Sequence, residues 1–133
     1  MPTAKIHVHQ GRYDEQRLNK LGEAIQSALE SVLKVPADDY YRIVHILPPQ
    51  QFVHTPSFLG LKYSEDFILL ELTFIAGRPK DVRLALLSEL NARIVAATGI
   101  SPDDLLVMIY ELPGENISFG RGLAQRAHIS AST

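Results

Sequence analysis

Proline directly follows the first methionine, and this pair is the first feature of the sequence that suggests chemistry. Methionine before a small residue is normally removed, so the mature chain would begin with the secondary amine of Pro2. An α-amino group titrates near ~8, close enough to neutral pH to serve as an acid or a base. The same pair is also found at frayed termini that have no function. The choice between these interpretations depends on the residues that the fold brings to Pro2.

An arginine follows a glycine at two places, Gly11-Arg12 and Gly77-Arg78, where a strand is predicted to give way to a helix. Free backbone N–H groups and the helix dipole favour an anion at such a junction, and a guanidinium adds a two-point grip on a carboxylate. Lys80 would place a second cation in the same turn as Arg78. A solvated arginine that closes a turn is the alternative interpretation at either place.

Hydrophobic periodicity predicts the elements that must position these residues. Period-two alternation predicts strands, and apolar residues spaced three and four apart predict helices, the first of them capped by Asp14. The first predicted strand, helix and second strand occupy residues 3–9, 14–34 and 40–47. The same order returns at residues 67–76, 79–97 and 105–112. Pro79 suits the first position of the second helix.

The two units also match residue by residue, at a spacing of 66 positions. Identical residues stand at Gly11 and Gly77, Arg12 and Arg78, Arg17 and Arg83, Leu18 and Leu84, Leu21 and Leu87, Glu23 and Glu89, Pro36 and Pro102, Asp38 and Asp104, and Ile43 and Ile109. Chance would give about two such matches, so we infer a duplicated β-α-β unit, with repeats at about 2–47 and 67–112. Right-handed crossovers then place both helices on one face of a four-stranded mixed sheet, in one α+β domain over residues 1–133.

The duplication separates structural residues from candidates for function. A residue that occurs in both repeats is expected to be structural, whereas one that occurs in a single repeat is free to be functional. Pro2 and Asp39 are unshared, because an isoleucine and a leucine stand at the corresponding positions. Asp38 has a counterpart in Asp104, so we predict that Asp39 is the functional aspartate of the pair.

Composition argues against several classes of function. A net charge of −2 with 21% charged residues gives no basic excess for nucleic acid and no basic cluster for a membrane surface. The chain has no cysteine, which excludes disulfides and thiolate sites. It shows neither an export signal nor a run of about eighteen apolar residues, so we expect a cytoplasmic protein.

Three histidines on two predicted strands, His7, His9 and His45, make a zinc site conceivable. No carboxylate partner can be assigned to them, and no nucleotide or phosphate motif is present. We therefore predict neither a metal nor a cofactor.

The predicted strand at 67–76 is apolar on both of its faces, although two helices cover only one face of the sheet. We expect the other face to be buried against further copies of the chain, in a closed ring. The apolar, proline-containing segment at 47–66 is predicted to be an ordered excursion that covers a pocket or clasps a neighbour. Glycines at 114–122 allow a sharp hairpin, and the last residues are predicted to be disordered.

The stretch Pro-x-Ala-x-Ile-His-Val-x-x-Gly-Arg-x-Asp-Glu-Gln-Arg, from Pro2 to Arg17, resembles the N-terminus of 4-oxalocrotonate tautomerase. Three further segments extend the resemblance over nearly the full chain, to the two-repeat members of the tautomerase superfamily and most of all to the malonate semialdehyde decarboxylase group. They are Val35-Pro36-Ala37-Asp38-Asp39, Gly99-Ile100-Ser101-Pro102-Asp103-Asp104 and Ser118-Phe119-Gly120-Arg121-Gly122. The resemblance implies a trimer with the tautomerase fold and no cofactor.

The resemblance also implies a role for particular residues. Pro2 would be the acid/base in a pocket between repeats and subunits, and Asp39 the carboxylate that works with it. Arg78 would bind the substrate carboxylate, and Arg12 matches the substrate-binding arginine of the short tautomerases.

The departures from the decarboxylase pattern also concern the substrate site. Lys80 stands where that pattern has arginine, and Ile117 stands where it has tryptophan, in the same segment as Phe119. A lysine offsets charge but cannot make a planar two-point grip, which disfavours the decarboxylase substrate.

The function expected from these residues is keto–enol tautomerisation of small oxo acids by a cofactor-free enzyme. Decarboxylation or hydration of the malonate semialdehyde type is the alternative within the superfamily. A non-catalytic binding protein, like macrophage migration inhibitory factor, is the alternative of another class. Its function would survive chemical blocking of Pro2.

Overall fold

The computed structural model describes residues 1–128 as one layer of strands covered by one layer of helices. The strands are β1 (Thr3–His9), β2 (Tyr41–Leu47), β3 (Ser57–Phe58), β4 (Leu61–Lys62), β5 (Ile68–Ile75) and β6 (Leu105–Leu112), and the helices are α1 (Glu15–Leu33) and α2 (Lys80–Thr98). The predicted fold class is confirmed, with boundaries within one residue of those expected for the six main elements. None of the helices within residues 1–128 combines the length and apolar character needed to cross a membrane.

The main sheet has the strand order β2-β1-β5-β6. β1 runs parallel to β2, and β5 runs parallel to β6. The two central strands are antiparallel, with Thr3 opposite Thr73 and His7 opposite Leu69. The beginning of β1 therefore lies beside the end of β5.

The core lies between the helices and one face of the sheet. Alternate residues of the central strands point into it, as the period-two pattern predicts: Ala4, Ile6, Val8, Leu70, Leu72 and Phe74. The helices contribute the residues of their apolar stripes: Leu21, Ile25, Leu29, Leu86, Leu90 and Ile94. Burial of each large side chain contributes roughly 1.5–3 kcal/mol before the entropy of folding is subtracted.

Local signals explain where the two helices begin. Asp14 caps α1 as predicted, because its carboxylate accepts a hydrogen bond of 2.7 Å from the backbone N–H of Arg17. Pro79 was expected at the first position of α2, but its extended backbone, with ψ of 158°, makes it the N-cap. The strand-to-helix turns need positive φ at Gly11 (88°) and Gly77 (125°), which explains why glycine precedes each arginine.

The joining segment between β2 and β5 is ordered, as predicted, with a 3-10 turn at Pro49–Gln51 and the β3–β4 hairpin. Asp104 holds the joining segment in place. Its buried carboxylate accepts hydrogen bonds from the backbone N–H (2.7 Å) and the hydroxyl (2.6 Å) of Ser64. The ring nitrogens of His9 contact two carbonyl oxygens of the segment, those of Phe52 at 2.7 Å and Glu65 at 3.0 Å. The segment therefore packs across the end of β1.

The tail does not form the predicted hairpin. After β6 it makes a 3-10 helix at Gly114–Asn116 and then a series of turns to residue 128. The side chain of Gln125 accepts from the N–H of Phe119 and donates to the carbonyl of Gly120, so side-chain contacts replace a strand ladder. The terminal residues for which we predicted disorder lie outside the described residues.

β2 is an edge strand with apolar side chains exposed on both of its faces. Between 41% and 52% of the surface is exposed at Tyr41, Ile43, Val44 and Ile46. An apolar edge with unpaired backbone groups is a surface on which a further chain can pair. This surface agrees with the expectation of self-association.

We predict that the protein is a closed homotrimer in solution, since further copies are needed to bury β2 and the sheet face opposite the helices. Sedimentation velocity at micromolar protein concentration measures the assembly directly. Val44→Glu would place a charge on the edge and should shift the distribution to smaller species. A monomer for the wild-type protein would contradict the prediction.

Candidate active site

One end of the sheet gathers residues that are far apart in the sequence. Because β1 is antiparallel to β5, Pro2 lies beside the residues that leave β5, among them Arg78. Because β1 is parallel to β2, the loop that carries Asp39 into β2 reaches the same end. Pro2, Asp39 and Arg78, which are predicted to act together, therefore lie at the same end of the sheet.

Asp39 binds the N-terminal ammonium group. The nitrogen of Met1 lies 2.5 Å from both carboxylate oxygens of Asp39. The side chain of Met1 is only 3% exposed, and Pro2 is buried. The backbone N–H of Asp39 donates to the carbonyl of Pro36 at 3.1 Å, which holds the loop. The terminus is therefore anchored, and the frayed-terminus interpretation does not apply.

Arg78 leaves β5 with a half-buried side chain. The carbon at the centre of its guanidinium lies 5.2 Å from the centroid of the Phe74 ring, and one of its nitrogens lies 3.5 Å from the carbonyl oxygen of Ile75. Burial lowers the pKa of Arg78, while the negative charges of Asp39 and Glu111 act in the opposite direction. Within residues 1–128 Arg78 forms no salt bridge. A partly desolvated cation without a bound carboxylate is suited to receive an anion.

Glu111, the second carboxylate that acts on Arg78, is already bound by other groups. It accepts a hydrogen bond of 2.7 Å from Arg83 and one of 3.4 Å from the backbone N–H of Gly77. These contacts hold the turn that presents Arg78 and keep Glu111 engaged there. The guanidinium of Arg78 is thereby left available at this end of the sheet.

The tail adds an aromatic wall. The ring of Phe119 lies 6.5 Å from that of Tyr41, with the planes inclined by 28°. Ile117, two residues earlier, is half-buried. Lys80 begins α2 with an exposed side chain, two residues after Arg78. The structure thus places Phe119 beside the strand that follows Asp39. Lys80 lies on the surface at the start of α2.

Arg12 lies at the opposite end of the sheet. It follows β1, so the length of that strand, roughly 20 Å, separates it from Pro2 of the same chain. Its Nε donates to Asp66 at 3.0 Å, and one terminal nitrogen lies 3.6 Å from Glu65. The hydrogen bond and charge of Asp66 raise the pKa of Arg12. Within one chain, the structure does not bring Arg12 to the other predicted site residues.

The histidines lie in two different environments. His7 contacts Glu71 at 2.7 Å and His45 at 3.1 Å on the sheet face opposite the helices. The hydrogen bond with His7 is the largest cause of the lowered pKa of Glu71. His9 instead contacts carbonyls of the joining segment. Over residues 1–128 there is no set of three histidine or acidic side chains arranged to hold a metal ion.

Sequence reasoning missed Gln26, which contacts the loop of Asp39. Its side chain is buried on α1, and Nε2 lies 3.3 Å from the carbonyl oxygen of Asp39. Two signals were available in the sequence: a polar residue among the apolar positions of α1, and an alanine, Ala92, at the matching position of the second repeat.

Comparisons with known proteins agree with this architecture. Residues 2–61 match one family model and residues 39–120 match another, both described as tautomerase enzyme. A probable tautomerase of Bacillus subtilis, YrdN, is 30% identical over 125 residues, which cover 94% of this chain and 95% of that protein. A solved malonate semialdehyde decarboxylase is 28% identical, with a TM-score of 0.84 and coverage of 92% and 94% of the two chains. The FG41 malonate semialdehyde decarboxylase, solved with the inhibitor 3-bromopropiolate, is 26% identical, with a TM-score of 0.83 and 93% coverage of each chain. The chain therefore belongs to the tautomerase superfamily.

Proposed function

We propose that this protein is a cofactor-free enzyme that uses the amine of Pro2 as acid and base in the keto–enol tautomerisation of small oxo acids. The contact between the N-terminal ammonium and Asp39 carries the proposal, because it places the start of the chain beside a carboxylate and next to Arg78. Removal of Met1 would make the secondary amine of Pro2 the N-terminus, one residue further along the chain. It would also vacate the buried volume that Met1 fills, in which a small substrate would bind.

In this mechanism Arg78 binds the substrate carboxylate, and Pro2 moves the proton. The neutral amine removes a proton from the carbon next to the carbonyl. The electron pair of the C–H bond forms the new C=C bond, and the π pair of the carbonyl moves to the oxygen. The protonated amine then donates that proton to the oxygen and completes the enol. A positioned acid/base suits this exchange, because Pro2 is held by its ring and by β1. Phe119 and Tyr41 would form an apolar wall for the rest of the substrate.

Decarboxylation is the second candidate, and the contact with Asp39 is the observation that favours it. A carboxylate this close to an amine stabilises the cationic form. A protonated Pro2 would donate a hydrogen bond to the aldehyde oxygen of a 3-oxo acid. The C–C bond to the carboxylate would break, its electron pair would pass into the enolate, and carbon dioxide would leave. The likeness to solved malonate semialdehyde decarboxylases supports this reaction. Two residues argue against decarboxylation. Lys80 would bind the substrate carboxylate less firmly than an arginine, and Ile117 would leave more space than a tryptophan, so tautomerisation is the first proposal.

Arg12 enters the proposal only through the homotrimer. In a closed ring, the Arg12 end of one copy can approach the Pro2 end of another, and Arg12 would then contribute to the binding of substrate across the subunit boundary. Glu65 would have to release it, which the weak contact of 3.6 Å and the 80% exposed side chain of Glu65 allow.

The first prediction concerns the N-terminus. We expect the intact mass of the purified protein to lack methionine, and we expect Pro2→Ala to lose roughly 10²–10⁴-fold in turnover, the contribution of a positioned acid/base. Circular dichroism of the variant should match that of the wild type. Full activity in a preparation that retains Met1 throughout would contradict the proline mechanism.

The second prediction concerns Arg78. Arg78→Ala should raise the KM for carboxylate substrates about tenfold to a hundredfold, because removal of a charged hydrogen-bonding partner costs ~1.5–3 kcal/mol. Arg93→Ala is a matched control, since Arg93 lies on α2 in contact with Glu89 and Ser27, away from this end of the sheet. If the two variants have the same KM as the wild type, Arg78 serves only to close its turn.

The third prediction separates the two reactions. Wild type and Asp39→Asn should be assayed with phenylpyruvate for tautomerisation and with malonate semialdehyde for decarboxylation. Loss of the carboxylate removes the group that stabilises a cationic Pro2, so any decarboxylation should disappear in the variant while tautomerisation persists. Absence of decarboxylation by the wild type would eliminate the second candidate, and absence of both activities would count against the enzyme as proposed.

A further inference from the structure

We propose that Gln26 is a positioning residue that fixes the peptide of Asp39 and so sets where the Asp39 carboxylate meets the N-terminal amine. This inference rests on the proposed function, because the position of the carboxylate matters to catalysis only if the amine of Pro2 is the acid/base.

The backbone of Asp39 is held on both sides of its α-carbon. Its N–H donates to the carbonyl of Pro36 at 3.1 Å, and its carbonyl accepts from Nε2 of Gln26 at 3.3 Å. With the backbone fixed, only the two short side-chain torsions of Asp39 remain to place the carboxylate. Gln26 therefore limits the distance between that carboxylate and the N-terminus.

The location of Gln26 is costly unless the amide has a partner. The residue is 9% exposed and lies between the fully buried Ile25 and the nearly buried Leu29 of the same helix. The Nε2 donor of the amide loses hydrogen bonds to water in such a place, and an apolar side chain would fill the position without that cost. The contact with Asp39 offsets the loss, which is a reason for an amide at this position.

The second repeat supplies an internal comparison. The counterparts of Gln26 and Asp39 are the exposed Ala92 and the strand residue Leu105, so neither the amide nor the acid is present there. The second repeat still ties its helix to the following turn, because Asn91 donates to the carbonyl of Pro102 at 2.9 Å. Pro102 corresponds to Pro36, three residues before Asp39. Attachment of the turn therefore does not require a polar residue at the Gln26 position. The amide of Gln26 occurs only in the repeat that also has Asp39.

The charges around the amine make Asp39 the carboxylate on which the distance depends. Asp39 comes from the loop before β2, and Arg78 follows β5. Glu111, near the end of β6, is bound to Arg83 and to the backbone of Gly77. If Asp39 moved away from the N-terminus, the positive charge of Arg78 would act on the amine without a compensating carboxylate. The protonated form of the amine would then be less stable.

Gln26→Met tests the proposal, because methionine is of similar length and cannot donate. We expect kcat for decarboxylation of malonate semialdehyde to fall about fivefold, the effect of one lost hydrogen bond, with KM changed by less than about twofold, while tautomerisation persists as it should in Asp39→Asn. We also expect the Pro2 amine to titrate at lower pH than in the wild type, followed by NMR of protein labelled with ¹⁵N at proline. Asn91→Leu is the control: it removes the corresponding attachment in the second repeat and should lower the melting temperature without moving the titration.

Asp39→Asn provides the reference for each outcome. A titration shift in both Asp39→Asn and Gln26→Met supports the positioning role. A shift in Asp39→Asn but a wild-type titration and kcat in Gln26→Met overturns that role and leaves the proposed function standing. No shift in either variant shows that Asp39 does not act on the amine and overturns the positioning role, while the proposed function is judged separately by Pro2→Ala. If Gln26→Met fails to fold, Gln26→Asn, whose donor is one methylene shorter, should show the same direction of change, and a wild-type titration in it overturns the positioning role.

Discussion

The antiparallel pairing of β1 with β5 is the constraint on which the candidate site depends. It joins the two β-α-β units at their first strands and places the beginning of each first strand beside the end of the other. The N-terminus and the turn carrying Arg78 are neighbours for this reason alone. A parallel pairing would have put them at opposite ends of the sheet. The buried alternate residues of both strands fix the register, because a slip by one residue would turn the core side chains to the open face.

Within this frame, the site is organised by one carboxylate near two cationic groups. Asp39 binds the N-terminal ammonium directly and lowers the electrostatic cost of the half-buried Arg78 from a greater distance. Since Asp39 is committed to the terminus, Arg78 keeps donors for an incoming anion. A carboxylate substrate would supply the negative charge that this end of the sheet lacks. The charge of Arg78 is poorly compensated in the free chain. This arrangement would therefore favour binding of a carboxylate.

Much of this arrangement could be predicted from the sequence. Periodicity and turn residues located the six main elements. The repeat left Pro2 and Asp39 unmatched, and the resemblance to tautomerases predicted their joint role with Arg78. The distance of Arg12 from Pro2 follows from the predicted strand between them, but the ion pair of Arg12 could not be found in this way. Both arginines follow glycines, and the difference between them lies in Asp66, which reaches Arg12 only after β5 is paired. Gln26 stands out in the sequence as a polar residue in an apolar stripe, but its contact with the loop of Asp39 could not be found until the loop was placed.

The two ends of the sheet show how a duplicated backbone supports different tasks. At the Arg12 end, Asp66 binds both Arg12 and Arg17, and Asp104 holds the joining segment through Ser64. Burial alone would raise the pKa of Asp66, and the hydrogen bonds of the two arginines reverse this and lower it. Charges are paired within the chain there, and the joining segment is held against the sheet. At the other end the corresponding arginine, Arg78, has no such partner within residues 1–128, and the carboxylate beside it is bound to the N-terminus. The proposed binding of a carboxylate therefore rests on the arginine that has no salt-bridge partner within residues 1–128.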